Sequence, residues 1–246
     1  MVNQLPLSDG DLAPARKSAD GTQVLTSDLA YRAISIVNVI FYGDPTGKVV
    51  GSDRYGLSTS SDRIREFAAL RFGDNVSPAA IVMTRAHFDH AGSVESLASY
   101  WDVPLFAHPL EKAVSGGRGR PILPPIRWPA AAPFWRESDR TLIAGDAIIT
   151  TGQESAYEAI AQTPEMHGPP RYFTPDWQKA EKSVSLLASL EPALIISGHG
   201  RPLKGQNVRN QLHHLAAASR DIAVPQGGRY DRDPAKPGKS GNDAFR

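Results

Sequence analysis

Three apolar runs of this chain each stop at residues that bind metals. "AAIVMT" (79–84) runs into Arg85-Ala86-His87-Phe88-Asp89-His90, "TLIAGD" ends on Asp146, and "ALIISGH" ends on His199. Each run has the length and composition of a buried strand. A strand end projects its side chains from a rigid base, so three such ends predict a sheet edge where ligands converge. Taken singly, each end has a structural explanation. A polar loop can satisfy its own hydrogen bonds, a buried aspartate can cap a turn, and Gly-His can close a strand. It is the threefold repetition that points to a site.

The chain contains no cysteine, which removes disulfides, thiolate zinc sites and cysteine nucleophiles together. A metal site must then use His, Asp and Glu, a ligand set that suits Zn, Fe or Mn. His87, Asp89 and His90 cannot all point one way on a straight strand, so "HFDHAG" must turn sharply. Among the other histidines, His108 ends a strand-like run and is either a supporting or a structural group. His167 sits in "EMHGPP", whose placement the sequence leaves open. His213 and His214 are neighbours on a helix and face different ways, as surface or packing residues.

The remainder of the chain reads as alternating strands and helices. Strands are expected at 22–26, 31–43, 48–53, 103–108 and 140–150, the last bending at Gly145-Asp146. Helices are expected at 58–73, capped by Ser60 or Ser61 with Ile64, Phe67, Ala68 and Leu70 as its apolar face, and at 93–101. A third, at 174–190, has Thr174 as its capping candidate and Trp177, Ala180, Val184 and Leu187 at helical spacing. A last helix is expected at 207–223. Residues 1–20 read as a loose leader, 21–231 as one domain and 232–246 as a disordered tail. The Gly-, Pro- and Arg-rich stretch 115–133 reads as a loop. Strands in two batches with helices interspersed predict an α/β (α+β) arrangement of helices packed on sheets. A formal net charge of +1 gives no footprint for nucleic acid. No stretch has the roughly 20 apolar residues of a membrane span. The N-terminus has no signal-peptide core, so the expected location is cytoplasmic and the expected partner a small-molecule substrate. The oligomeric state is not legible. No G-x-S-x-G elbow, P-loop or G-x-G-x-x-G motif appears.

"TRAHFDHAGS", "LIAGD" and "ISGHGRPL" resemble the metal-binding motifs of the metallo-β-lactamase-fold (MBL-fold) hydrolase superfamily. "QESAYEAI" and "HGPPRYFTPDW" extend the resemblance over roughly residues 22 to 232. It implies an αββα four-layer sandwich with a metal site along one edge of the two sheets. The family pattern H-x-H-x-D-H is altered here, because Arg85 stands at its first histidine. The middle histidine that the family supplies before the "GD" strand has no counterpart, since no histidine lies between His108 and Asp146.

Carried over by residue, one metal position keeps only His87 with Asp146 as bridge. The other keeps Asp89, His90, Asp146 and His199, a full ligand set for one ion. Some family members with another residue at the Arg85 position work with a single zinc there. The resemblance thus implies one or two zinc ions, with Fe or Mn as other occupants. A bound ion lowers the pKa of its water to about 7, and the hydroxide would attack an ester, thioester, lactone or amide carbonyl, or a phosphoester. Asp89 would orient the water. Arg85, always cationic, would fill the vacated position, pair with Asp146 or Asp89, and bind an anionic substrate group. Two alternatives stay open: a catalytically inactive MBL-fold protein that has lost part of its metal site, and a dinuclear enzyme that recruits His167 or His108.

Overall fold

The computed structural model describes residues 5–46, 51–53, 60–84, 93–107, 133–152, 162–170, 174, 176–224 and 230, with backbone alone at 51–53 and 107. The chain forms two compact units: Pro14–Ile126, and a split unit made of Met1–Ala13 with Arg127–Arg246.

In the Pro14–Ile126 unit the described strands form one sheet in chain order, β2(Arg16–Lys17), β3(Gln23–Thr26), β4(Leu29–Ile34), β5(Val37–Tyr42), β6(Gly51–Asp53), β7(Ile81–Met83) and β8(Leu105–Ala107). The pairing is antiparallel as far as β6 and parallel from β6 to β8. Helices α1(Ser61–Phe72) and α2(Val94–Trp101) supply the parallel crossovers, as parallel neighbours require. Their apolar stripes pack on the sheet. Ile64, Phe67, Val94 and Leu97 share one buried cluster with Val39, Phe41, Ile81 and Met83.

The sequence reading differs from the structure here at two places. The apolar run 31–43 is a hairpin and not one strand. Ser35 takes φ 58° and Ile34 pairs with Val37 across a two-residue turn. Leu70, expected on the buried face of α1, is 60% exposed, and Arg71 is buried in that stripe instead. Gly73 stops α1 with φ 103°, a conformation that favours glycine.

The split unit holds two sheets. One is four-stranded in the order β14(Leu203–Lys204), β13(Leu194–Ser197), β10(Thr141–Gly145), β9(Phe134–Arg136). The other has three strands, β1(Leu5–Pro6), β12(Pro164–His167) and β11(Ile149–Thr151). The chain passes from β10 to β11, and so between the sheets, at the predicted Gly145-Asp146 bend. Helices α3(Trp177–Ser189), α4(Gln206–Ala217) and α5(Ser219–Ile222) bury Val184, Leu187, Leu212 and Leu215 against Leu142, Ile195 and Met166.

Asp176, not Thr174, caps α3. Its Oδ1 accepts the Lys179 N–H at 3.0 Å, while the Thr174 hydroxyl donates to the Pro170 carbonyl at 2.7 Å. The expected last helix is broken at Ala218, which leaves helical geometry at φ −112°, ψ 23°. Residues 5–17, within the stretch read as a leader, carry β1, a 3-10 turn at Asp9–Asp11 and β2. Residues 115–132 and the tail from 232 lie outside the described residues. Among the described residues no helix is long and apolar enough to cross a membrane.

Candidate metal-binding site

Strands β10 and β13 are parallel neighbours, with Leu142 opposite Ile195, Ile143 opposite Ile196 and Gly145 opposite Ser197. Parallel pairing places their C-terminal ends at one edge of the sheet. Asp146 follows β10 and His199 lies two residues past β13, so the two predicted ligands meet there. Gly145 makes this possible. At φ 55° it turns the chain out of the strand in a conformation that favours glycine. Its carbonyl also accepts the Gly198 N–H at 2.9 Å, which ties the two strand ends together.

The loop carrying His199 is held through its main chain. The His199 carbonyl accepts the Thr150 N–H at 3.1 Å and the Thr150 hydroxyl at 3.0 Å, and the Ser197 hydroxyl donates to the same oxygen. In return the His199 N–H donates to Ser197 Oγ at 3.2 Å. Gly200 is pressed against β11, so that a Cβ there would lie 2.6 Å from the Thr150 carbonyl carbon, and its φ is 91°. Only glycine fits this approach without strain. Sequence reasoning passed over Thr150 and Ser197 as site-building residues. The available signal was the pair of glycines around His199, which announce a close backbone approach.

Asp146 and His199 are 1% and 3% exposed. His199 Nε2 lies 3.6 Å from Asp146 Oδ1, too long for a hydrogen bond. Zinc holds nitrogen and carboxylate oxygen at about 2.0–2.2 Å, so two ligands on a tetrahedral edge stand about 3.4 Å apart. A buried imidazole and carboxylate at nearly that separation fit a shared cation in both donor chemistry and spacing.

His87, Asp89, His90, Arg85 and His108 lie outside the described residues. Among the described residues no group of three or more His, Asp or Glu side chains is assembled for a metal ion. His167 ends β12, paired with Ile149 of β11, and is buried. Its Nδ1 lies 2.9 Å from the Gly168 carbonyl. Because a carbonyl only accepts, the neutral ring carries its proton on Nδ1. His213 and His214 are exposed on α4, and His213 pairs with Glu191, in keeping with surface roles.

A model of the metallo-β-lactamase superfamily matches residues 56–132 and 125–199. The chain is 32% identical over 208 residues to the probable metallo-hydrolase YflN of Bacillus subtilis (strain 168), covering 65% of this chain and 79% of that protein. Among solved structures, a β-lactamase domain protein from Burkholderia ambifaria aligns over 85% of this chain and 81% of its own, with TM-score 0.59 at 18% identity. VMB-1 aligns over 80% and 96%, with TM-score 0.53 at 12% identity. At such identities the two structural likenesses concern the fold.

Proposed function

The chain belongs to the metallo-β-lactamase superfamily, as a hydrolase of that family, and from this premise we propose that it works with one divalent ion held by Asp146 and His199. The observation that carries the proposal is the buried Asp146–His199 pair, 3.6 Å apart at adjoining parallel strand ends. Asp89 and His90 complete the ligand set on the strength of their sequence motif alone. When bound, the ion supplies a water acidified to about neutral pH and a Lewis acid for the scissile carbonyl. Zinc is the proposed ion, and the proposed substrates are small molecules with an ester, thioester, lactone or amide bond.

The chain's own residues then have distinct tasks. Asp146 brings negative charge into a buried position where a cation stabilises it. His199 contributes its imidazole, placed by the three donors on its carbonyl. Asp89 orients the attacking water, and Arg85 pairs with an anionic group of the substrate.

A second reading is favoured by a specific observation. Arg85 stands where the family pattern has a histidine, and no histidine lies between His108 and Asp146; on this reading the protein keeps the fold without catalysis. Metal content per purified chain, measured beside His199→Ala, separates the two. About one ion per chain, lost in the variant, supports the hydrolase and calls for turnover assays on esters, thioesters and lactones. No uptake after reconstitution with zinc, iron or manganese supports the inactive protein.

A further inference from the structure

Residues Leu5–Ala13 bind the split unit next to both of its buried histidines. Leu5 and Pro6 pair with Met166 and Glu165 beside His167, and the Leu7 N–H donates to the Pro164 carbonyl at 3.2 Å. At the other end Leu12 bridges to Leu203, and the Ala13 N–H donates to the Pro202 carbonyl at 2.8 Å, three residues beyond His199. Asp11 sits between these contacts and is only 7% exposed. Its Oδ2 accepts both the N–H and the hydroxyl of Ser8 at 2.8 Å, and Asn207 Nδ2 lies 3.1 Å from each carboxylate oxygen. One short strand, an isolated bridge and a buried carboxylate thus clip this short segment to β12, to Leu203 and to helix α4.

We propose that Leu5–Ala13 is a strap that sets the geometry of the Asp146–His199 pair, with Asp11 as the positioning residue that latches it to α4 through Asn207. The inference rests on the reading of that pair as a metal site. The upstream half of the His199 loop is fixed by β10 and β11, through Gly145 and Thr150. The downstream half leads into β14, which has two residues and pairs with β13 only at Leu194 and Ile195. So short an edge strand frays unless its other side is covered. The strap covers it at Leu203 and Pro202, and the Asp11–Asn207 bond fixes the first turn of the helix that follows. Metal bonds hold their lengths to within about 0.2 Å, so slack at Pro202 is felt at the His199 imidazole.

Asn207 is exposed, so Asn207→Ala opens the latch without opening the core. Asn207→Asp sets two carboxylates against each other, and adding Asp11→Asn restores a donor–acceptor pair. Asn210→Ala, one turn along the same helix, is the control. The readouts are zinc affinity by chelator competition and the visible absorption of the cobalt(II)-substituted protein, which reports ligand geometry. We expect zinc binding weakened about tenfold in Asn207→Ala and Asn207→Asp, the lower end of what groups supporting a ligand contribute. A changed cobalt spectrum should accompany it. The double variant recovers both, and Asn210→Ala changes neither. Unchanged affinity and spectrum in both latch variants, while His199→Ala abolishes binding, overturn the strap and leave the metal site standing. Equal losses in Asn210→Ala also overturn it. A wild-type chain that takes up neither ion overturns both readings.

Discussion

The two buried histidines of the split unit are held differently. His167 is fixed through its ring, with Nδ1 donating to the carbonyl of Gly168. His199 is fixed through its main chain, where Thr150 and Ser197 converge on its carbonyl while the ring faces Asp146. Main-chain anchoring sets the position of an imidazole through the backbone that carries it. Anchoring through Nδ1 sets the tautomer of the ring. The first arrangement suits a ligand placed opposite a carboxylate. The second suits a group whose role depends on its tautomer.

The largest expected effect separates the two directly. His199→Ala should reduce bound metal from about one ion per chain to near none, and His167→Ala should leave it unchanged, both read by elemental analysis. Loss of the ion in His167→Ala would break the comparison and make His167 a ligand in its own right.

The glycines that follow the two histidines sharpen it next. At Gly200 a new Cβ meets the Thr150 backbone at 2.6 Å and φ is 91°. At Gly168 it meets only the Ala223 side chain, at 2.5 Å. Backbone strain of about 1–3 kcal/mol adds to the overpacking cost at the first position. Gly200→Ala should therefore destabilise by about 2–6 kcal/mol and Gly168→Ala by about 1–3 kcal/mol in urea unfolding. The reverse order would show that the His199 loop yields more readily than its hydrogen bonds imply. A smaller loss, about 1 kcal/mol, is expected for Thr150→Val. That change removes the hydroxyl bond to the His199 carbonyl and keeps the backbone one, and urea unfolding at neutral pH measures it.

The edge where Asp146 and His199 meet was legible because strands β10 and β13 are apolar, short and closed by glycine. Parallel pairing then did what that pattern implied. Periodicity also located α1, α2 and α3. It failed where local signals tie or where the cause lies far away in the chain. Ile36 keeps the run 31–43 apolar and hides the turn at Ser35. Thr174 and Asp176 are both good caps, and only the folded chain gives the Thr174 hydroxyl to Pro170. Leu70 misses the i, i+3, i+4, i+7 stripe that Ile64, Phe67 and Ala68 begin, and its last place falls to Arg71. The segment 5–13 has no periodicity at all, because its partners lie as far as 196 residues away, at Asn207, and its one strand is two residues long. Polar, patternless sequence reads as loose when its order comes from contacts that distant.

The smallest effect concerns the N-terminal segment that reaches the neighbours of both histidines. Burial pushes the Asp11 carboxyl up, but the hydrogen bonds from the Ser8 backbone, the Ser8 hydroxyl and Asn207 outweigh it and hold the group below its ordinary range. A carboxyl with a lower pKa folded than unfolded stabilises the fold above the unfolded value, about 3.9. That contribution is lost as pH falls through the unfolded value toward the folded one. Asp11→Asn keeps a side chain of the same shape, replaces one acceptor oxygen by an amide and cannot titrate. The wild type should exceed it by about 1 kcal/mol near neutral pH, and the gap should close below about pH 4. Urea unfolding of both proteins at a series of pH values measures this gap. If it stays constant into acid, the Asp11 carboxylate is not what the Ser8 and Asn207 donors stabilise, and the strap then owes its hold to β1 and to the backbone bonds at Leu7 and Ala13.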